Sequence, residues 1–182
     1  MLNELYNEQT IKDRISDIAS NISRDYKDEK LVHVIIAMNG AFTFGADLIR
    51  QIKDIPLIVH FAGAPSYFGI EKSQENKSVG EDALPKSFGN NPVLIIEDIV
   101  DSGETITLLR TAIASRFSGS IKVATLLKRQ GATAQLDYCG FTVPRAMFVV
   151  GYGLDIDGRY RELPGLQVYG ATMSVDSETG VC

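Results

Sequence analysis

The sequence predicts a single α/β domain built on an open, mainly parallel, twisted sheet flanked by helices. Three observations support this fold class. Continuous runs of β-branched and other apolar residues alternate along the chain with segments whose apolar residues recur every three or four positions. The chain has 182 residues, which is close to the length of one domain, and its composition of 45% hydrophobic and 23% charged residues is that of a globular protein. In such sheets, ligands bind at the carboxyl ends of the strands.

The first part of the chain predicts two helices and two strands. A helix near 8–27 is indicated by apolar residues with helical spacing, namely Ile11, Ile15, Ile18, Ala19 and Ile22. The nearly unbroken apolar run at 31–38 is typical of a strand that is buried on both faces. A second helix follows from about residue 42 and ends before Asp54, and residues 56–61 predict the next strand.

A polar segment from about residue 63 to residue 91 interrupts this alternation. It is rich in Gly, Ser, Lys and Glu, and it is too long for a plain connection between two elements. We therefore expect a hairpin with a mobile tip.

The alternation returns in the second half of the chain. A buried strand is predicted at 92–96, followed by a helix that begins after Gly103 and continues to about Phe117, and by a strand at 121–127. Three shorter apolar runs complete the set, at 141–143, 147–150 and 166–169.

Composition excludes several classes of partner. The formal charge of −5 gives no global positive field for nucleic acid, and no apolar run approaches the ~18 residues of a membrane span. The first residues carry acids where a signal peptide needs positive charge, so we expect a cytoplasmic protein. Cys139 and Cys182 form no C-x-x-C pair, and we expect both to be spectators without a disulfide framework.

The segment at 95–105 carries the strongest chemical signal. A hydrophobic strand is followed by acids and then by a turn of small residues that opens a helix. Ser102, Gly103 and Thr105 place hydroxyl groups and free backbone N–H groups at the helix N-terminus, where both favour a phosphate. This part of the segment therefore predicts an anion cradle.

The acids of the same segment predict a different task. Glu97 and Asp98 would repel a phosphate, but they suit hydroxyl groups or a hard cation such as Mg²⁺. Asp101 lies next to the cradle and is placed to hold a proton on a reacting group. A phosphorylated sugar satisfies both halves. The plainer alternative, in which Asp101 or Ser102 only caps the helix, leaves the other acids unexplained.

Other motifs are weaker. Gly40 and Gly45 have the spacing of a P-loop, but Ala46-Asp47 stands where Lys-Ser/Thr is required. His33 and His60 lie within strand runs and have no third ligand at metal spacing, so we interpret both as structural.

Two segments resemble one enzyme family. Residues 93–105 resemble the phosphoribosyl-pyrophosphate motif of the purine-salvage phosphoribosyltransferases, and residues 148–155 with 160–164 resemble the C-terminal signature of the hypoxanthine-guanine members. The resemblance spans residues 30–169. It implies the type I phosphoribosyltransferase fold as one domain over 1–182, with a core at about 30–143, a small hood and a long flexible active-site loop.

The hood would comprise about 144–182 together with the N-terminal region, and the loop, about 63–91, would close over the reacting centre. Ser66 and Tyr67 would lie on this lid loop.

The resemblance also implies roles for the residues of the acidic segment. Glu97 and Asp98 would bind the ribose hydroxyls directly or through Mg²⁺, and Asp101 would be the base near N7 of the purine. The 5′-phosphate would be held by the turn residues Ser102, Gly103, Glu104 and Thr105.

Further roles are implied for the remaining motifs. Phe148 would stack on the purine, backbone groups of Val149 would read its edge, and Asp155 would contact the purine or a second Mg²⁺. Pyrophosphate would be bound by Asn39, Gly40 and Arg161.

The chain departs from the family pattern at three positions. Asn39 stands where the family usually has a lysine, and Glu104 where relatives often have one. The position of the base-reading lysine holds Arg129, with Lys128 one residue early, so either cation is a candidate for the 6-oxo group.

The implied function is transfer of ribose 5-phosphate from phosphoribosyl pyrophosphate to N9 of hypoxanthine or guanine, or of both, with Mg²⁺, yielding IMP or GMP and pyrophosphate. A homodimer or homotetramer is expected, with no nucleic-acid or membrane partner. Two alternatives stay open. One is a catalytically silent regulator of the same fold that senses nucleotides, and the other is the same chemistry on xanthine or adenine.

Overall fold

The computed structural model describes residues 2–63, 67–68, 71–72, 84–170 and 180–182. The three helices of this part are α1 (Glu8–Asp25), α2 (Phe42–Gln51) and α3 (Glu104–Ala114). Its strands are β1 (Leu2–Tyr6), β2 (Val32–Met38), β3 (Leu57–Gly63), β4 (Tyr67–Phe68), β5 (Glu71–Lys72), β6 (Val93–Val100), β7 (Ile121–Arg129), β8 (Tyr138–Val143), β9 (Val149–Val150), β10 (Leu166–Tyr169) and β11 (Gly180–Val181).

The main sheet has six strands in the order β11-β8-β7-β6-β2-β3. The four pairings from β8 to β3 are parallel, and β11 joins β8 in the antiparallel sense. The open, mainly parallel α/β sheet predicted from the alternation of elements is therefore confirmed. Strands β2, β6 and β7 lie in the interior of the sheet, and β2 and the central parts of β6 and β7 are buried, which accounts for their continuous apolar runs.

Helix α1 begins where the sequence predicts it. The Asn7 side chain caps it by accepting a hydrogen bond from the Thr10 N–H at 2.9 Å. The predicted apolar stripe is buried throughout, and the helix contacts α2 and β8. Helix α2 buries Phe44 and Leu48 against β2 and β6.

A second, three-stranded antiparallel sheet has the order β1-β10-β9. It joins the first residues of the chain to two segments near its end, with Leu2 opposite Tyr169 and Val149 opposite Val168. These are the segments to which the resemblance assigns the hood, whose boundaries stay a prediction. Strand β1 is not predicted by the sequence. It has only five residues and pairs with β10 near the other end of the chain, so the local pattern of apolar residues does not reveal it.

The predicted polar segment is described only in part. Strands β4 and β5 pair in the antiparallel sense as a short hairpin. Ser66 and the side chain of Tyr67 lie outside the described residues, so their proposed place on a lid stays a prediction. None of the described helices is both long enough and apolar enough to span a membrane.

The expectation that both cysteines are spectators is wrong. Cys139 and Cys182 form a disulfide, with Cα atoms 5.5 Å apart. The antiparallel pairing of β11 with β8 brings the last residue beside Cys139, a proximity that a separation of 43 residues does not reveal. The Arg14 guanidinium also donates to the carbonyl oxygens of Cys139 and Cys182, at 2.7 and 3.1 Å.

The two histidines form a pair at the side of the sheet. His33 Nδ1 and His60 Nε2 lie 3.0 Å apart, and the edge of the Phe88 ring packs against His33. Desolvation lowers the pKa of both imidazoles, and the charge of His33 lowers that of His60 further. Burial therefore favours the neutral form of both rings.

We expect this pair to make folding sensitive to acid. Because the folded-state pKa values are depressed, the unfolded chain binds protons more readily, and the free energy of unfolding falls as the pH drops below about 6.5. His60→Asn removes one of these groups and is expected to lose less stability than the wild type between about pH 7 and pH 5. Urea unfolding at several pH values measures this, and identical slopes for the two proteins would contradict it.

Candidate functional site

The candidate site lies at the carboxyl end of β6, in the middle of the main sheet. Strand β6 continues past the predicted end at residue 96 to Val100, so Glu97 and Asp98 belong to the strand itself. Glu97 is opposite Thr125 of β7, and its side chain is buried. Asp98 Oδ1 accepts a hydrogen bond from the Ile99 N–H at 2.8 Å. The parallel sheet thus carries two adjacent acids to one edge.

Burial dominates the electrostatics of these two acids. Desolvation raises the pKa of Glu97 well above its usual range, and the neighbouring Asp98 charge raises it further. Desolvation also raises the pKa of Asp98, while Arg161 and hydrogen bonds oppose the shift. Glu97 Oε2 is buried and has no hydrogen-bond partner among the residues that the structure describes. An unpaired buried carboxyl oxygen is costly for stability, and it is suited to accept a hydroxyl or a cation.

Gly40 lies directly against Asp98. A Cβ atom at Gly40 would lie only 1.7 Å from Asp98 Oδ2, so no larger residue fits while the carboxylate keeps its place. Gly153 also packs against Gly40, and a Cβ at Gly153 would lie 2.4 Å from the Gly40 carbonyl oxygen. Three chain segments therefore meet at this point: the end of β6, the loop after β2 and the turn around residue 153.

Arg161 links this junction to Asp155. Its Nη1 donates to the Gly153 carbonyl oxygen at 2.6 Å, and its Nη2 lies 2.8 Å from Asp155 Oδ1. Asp155 Oδ2 in turn accepts from the Gly158 N–H at 2.6 Å. Gly40 and Arg161 thus both contact Gly153, which places two of the three predicted pyrophosphate residues at one junction. Asn39 precedes Gly40 and follows a cis peptide bond from Met38.

The predicted anion cradle is the turn between β6 and α3. Gly103 is the N-cap of α3 and adopts φ = +75°, a left-handed conformation that favours glycine. A Cβ at Gly103 would also meet that of Ala134 at 2.7 Å. Ser102 Oγ accepts from the Glu104 N–H at 3.4 Å, and Ser102 is exposed. Ser102 is thus the exposed residue of this turn, Gly103 is buried, and Glu104 and Thr105 in the first turn of α3 are partly exposed.

Asp101 is half-exposed at the start of this turn. Its Oδ1 lies 3.9 Å from Nε of Arg145. Sequence reasoning did not single out Arg145, which lies three residues before the motif that begins at Phe148. The structure thus brings the predicted proton-handling acid close to the segment that contains Phe148.

The predicted purine side lies on the small sheet and the end of β7. Phe148 is partly buried, its ring lies edge-on to Tyr169 with centroids 6.1 Å apart, and Val149 is buried in β9. Lys128 and Arg129 are the last two residues of β7. Arg129 donates from Nη1 to the carbonyl oxygens of Pro144, at 3.1 Å, and Met147.

Sequence reasoning also missed the part that Gly153 and Tyr152 play. The Tyr152 hydroxyl donates to Asp47 Oδ2 at 2.5 Å, which ties the turn at residues 151–154 to helix α2. Gly151 and Gly153 both have positive φ and flank this tyrosine. The Gly-Tyr-Gly sequence was the available signal, but it identified no contact partner.

Comparison with known proteins gives a consistent assignment. A family model described as a phosphoribosyl transferase domain matches residues 1–157. A curated hypoxanthine-guanine phosphoribosyltransferase from Dictyostelium discoideum is 37% identical over 167 residues, which cover 89% of this chain and 92% of that protein. A hypoxanthine phosphoribosyltransferase from Salmonella typhimurium is 36% identical over 162 residues, or 86% of this chain and 89% of that protein.

Solved structures show the same likeness. A hypoxanthine-guanine phosphoribosyltransferase from Bacillus anthracis superposes with a TM-score of 0.76 at 29% identity, covering 92% of this chain and 98% of that one. A hypoxanthine phosphoribosyltransferase from Staphylococcus aureus gives a TM-score of 0.75 at 33% identity, covering 91% and 90% of the two chains.

The close contact between Gly40 and Asp98 predicts that a methyl group at position 40 lowers the stability of the protein. Gly40→Ala is expected to lower the free energy of unfolding by about 1–3 kcal/mol, because the Cβ collides with the Asp98 carboxylate. Gly180→Ala is the matched control, since its Cβ meets nothing within 4 Å, and it should change stability by no more than about 0.5 kcal/mol. Chemical denaturation measures both. Equal effects of the two substitutions would contradict the proposed contact.

Glu97→Gln is expected to stabilise the ligand-free protein at neutral pH, by about 1–3 kcal/mol. The folded-state pKa of Glu97 is raised, so the folded protein loses stability relative to the unfolded chain as the pH rises from the usual glutamate range through that pKa. Glutamine does not titrate, and the gain should therefore grow with pH across this window. Thermal unfolding at several pH values tests the trend, with the exposed Glu4→Gln as control. A gain that is independent of pH would contradict it.

Proposed function

The chain belongs to the phosphoribosyltransferase family, and we propose that it is a purine-salvage enzyme that transfers ribose 5-phosphate from phosphoribosyl pyrophosphate to N9 of hypoxanthine or guanine. One observation supports this proposal most directly. At the end of β6, the buried Glu97 and the half-buried Asp98 adjoin the N-terminus of α3, which Ser102 exposes on one side. A ligand with vicinal hydroxyls at one end and a phosphate at the other matches both halves.

In the proposed complex, Glu97 and Asp98 bind the ribose hydroxyls. The 5′-phosphate is held by the turn that opens α3, through Ser102, Gly103, Glu104 and Thr105. The pyrophosphate group contacts Arg161 and the backbone near Asn39 and Gly40. Phe148, Val149 and Asp155, with Lys128 or Arg129, form the purine side.

The reaction breaks the bond between C1 of the sugar and the pyrophosphate oxygen and forms the bond between C1 and N9. Positive charge develops on the sugar ring and negative charge on the leaving group. Arg161 and backbone N–H groups near Gly40 stabilise that negative charge. Asp101 holds the proton that the purine releases, at N7. The protein therefore contributes mainly positioning and electrostatic stabilisation.

The donor set at the end of β6 fits Mg²⁺. Glu97 presents a buried oxygen without a partner among the described residues, and Asp98 is adjacent. Mg²⁺ usually takes one or two carboxylates together with substrate phosphates, rather than a complete protein cage. In the part of the chain that is described, no three His, Cys, Asp or Glu side chains cluster as a metal site. When bound, Mg²⁺ would neutralise charge on pyrophosphate, and Asp155 is the proposed contact for a second ion.

Family membership supports the remaining parts of the proposal. Ser66 and Tyr67 are proposed to lie on a lid, from about 63 to 91, that excludes water from the reacting sugar. The residues from about 144 to 182, with the N-terminal region, are proposed to form the hood over the core. A cytoplasmic homodimer or homotetramer is the proposed form of the enzyme.

The proposed function is tested by an assay for pyrophosphate release. Phosphoribosyl pyrophosphate and Mg²⁺ are supplied with hypoxanthine, guanine, xanthine or adenine in turn. We expect release with the first two bases. Release with none of the four would overturn the enzyme assignment, and release with adenine alone would overturn the preference for 6-oxopurines.

Asp101→Asn is expected to lower kcat by about 100-fold or more, the usual scale for a positioned acid or base. The amide retains the size of the carboxylate but cannot take up the purine proton. Asp157→Asn is the control, because Asp157 is an exposed acid paired with Arg159. A kcat within a factor of two of the wild type for Asp101→Asn would remove this residue from the proposed role.

A further inference from the structure

Arg129 occupies the position where the family resemblance places a base-reading lysine, yet its contacts are of another kind. Its Nη1 donates to the backbone carbonyl oxygens of Pro144 and Met147. Both contacts are partly buried and bridge 15 and 18 residues of sequence. A guanidinium that donates to two carbonyls holds a piece of backbone in place.

The backbone that Arg129 holds is a closed turn. The Met147 N–H donates to the Pro144 carbonyl oxygen at 3.2 Å, so residues 144–147 form a hydrogen-bonded turn. Arg129 contacts the carbonyls of the first and the last residue of this turn. Its cation therefore restrains both ends at once, and a charged donor makes such hydrogen bonds stronger than a neutral one would.

Two groups of the proposed site are carried by this turn. Arg145 lies within it and reaches to 3.9 Å from Asp101, and Phe148 is the residue that follows it. The same stretch of backbone thus connects the proposed proton-handling acid to the ring on which the purine would stack. A shift of the turn would move both groups relative to the sugar site on β6.

The strand register separates Arg129 from its neighbour. Lys128 lies between Val100 and Thr142, and Arg129 lies beside Val143. Side chains of consecutive strand residues leave opposite faces of a sheet. Lys128 is therefore on the other face and cannot take over the contact with the turn.

We propose that Arg129 is a positioning residue for purine binding, which acts by fixing the turn at residues 144–147 and thereby the place of the Phe148 ring. The inference rests on the proposed function, because it assigns Phe148 to the purine. It differs from a direct reading of the 6-oxo group, in which the guanidinium itself would contact the base. Lysine keeps the positive charge, but its ammonium is more strongly hydrated than a guanidinium, so Arg129→Lys would restore only part of the effect.

Equilibrium binding of three ligands to the full chain distinguishes these roles without relying on catalysis. IMP carries the sugar phosphate and a 6-oxopurine, purine ribonucleoside 5′-monophosphate lacks the oxygen at C6, and ribose 5-phosphate lacks the base. For Arg129→Ala we expect the dissociation constants of both nucleotides to rise by the same factor, about 10-fold or more, while that of ribose 5-phosphate stays unchanged. Arg129→Lys should fall between Arg129→Ala and the wild type. The exposed Arg24→Ala, on helix α1, should bind all three ligands as the wild type does.

Other outcomes overturn the proposal. Weaker binding of IMP alone identifies Arg129 as a direct reader of the 6-oxo group. If Arg129→Ala weakens the binding of all three ligands equally and lowers the midpoint of thermal unfolding, Arg129 has a general structural role. If no dissociation constant changes, Arg129 has no role in binding. A wild-type chain that binds IMP no better than ribose 5-phosphate also overturns it. The proposed function is tested separately by the pyrophosphate-release assay. A chain that binds IMP but releases no pyrophosphate would contradict the proposed function and not the role of Arg129.

Discussion

The close approach of Gly40 to Asp98 is the constraint on which the candidate site depends. The Asp98 carboxylate lies where a side chain at position 40 would begin, and Gly153 packs against the Gly40 backbone. Because neither glycine carries a Cβ, the loop after β2 and the turn around residue 153 can come into direct backbone contact beside β6. The Arg161 guanidinium then joins the Gly153 carbonyl to Asp155.

The two acids at this junction favour binding at the expense of stability. Burial raises the pKa of both Glu97 and Asp98, and Glu97 keeps an oxygen without a partner among the described residues. A protein selected for stability alone would pair or replace such a group. In a sugar-binding site the same unsatisfied oxygen is available for a hydroxyl or a cation, so its desolvation cost is offset when the ligand binds.

The proposed purine side is connected to the core through a few long-range contacts. The Tyr152 hydroxyl binds Asp47 of α2, Arg129 of β7 holds the turn at residues 144–147, and β1 pairs with β10 in the small sheet. Two of these contacts join a C-terminal segment to an element from the first third of the chain, and the third joins the turn at residues 144–147 to β7. The small sheet therefore has a defined position relative to the carboxyl ends of the main strands.

The sequence by itself determined the buried strands, the α1 stripe and the turn into α3, because hydrophobic periodicity and the conformational needs of Gly103 are local properties. Family resemblance added the predicted roles of Phe148 and Arg161, which spacing alone does not reveal. Only the tertiary structure decided that β1 pairs with β10, that Cys139 bonds to Cys182, that Gly153 packs on Gly40 and that Arg129 contacts a turn. Those contacts join residues far apart in the chain, and their partners are chosen by how the layers pack, so no local pattern encodes them.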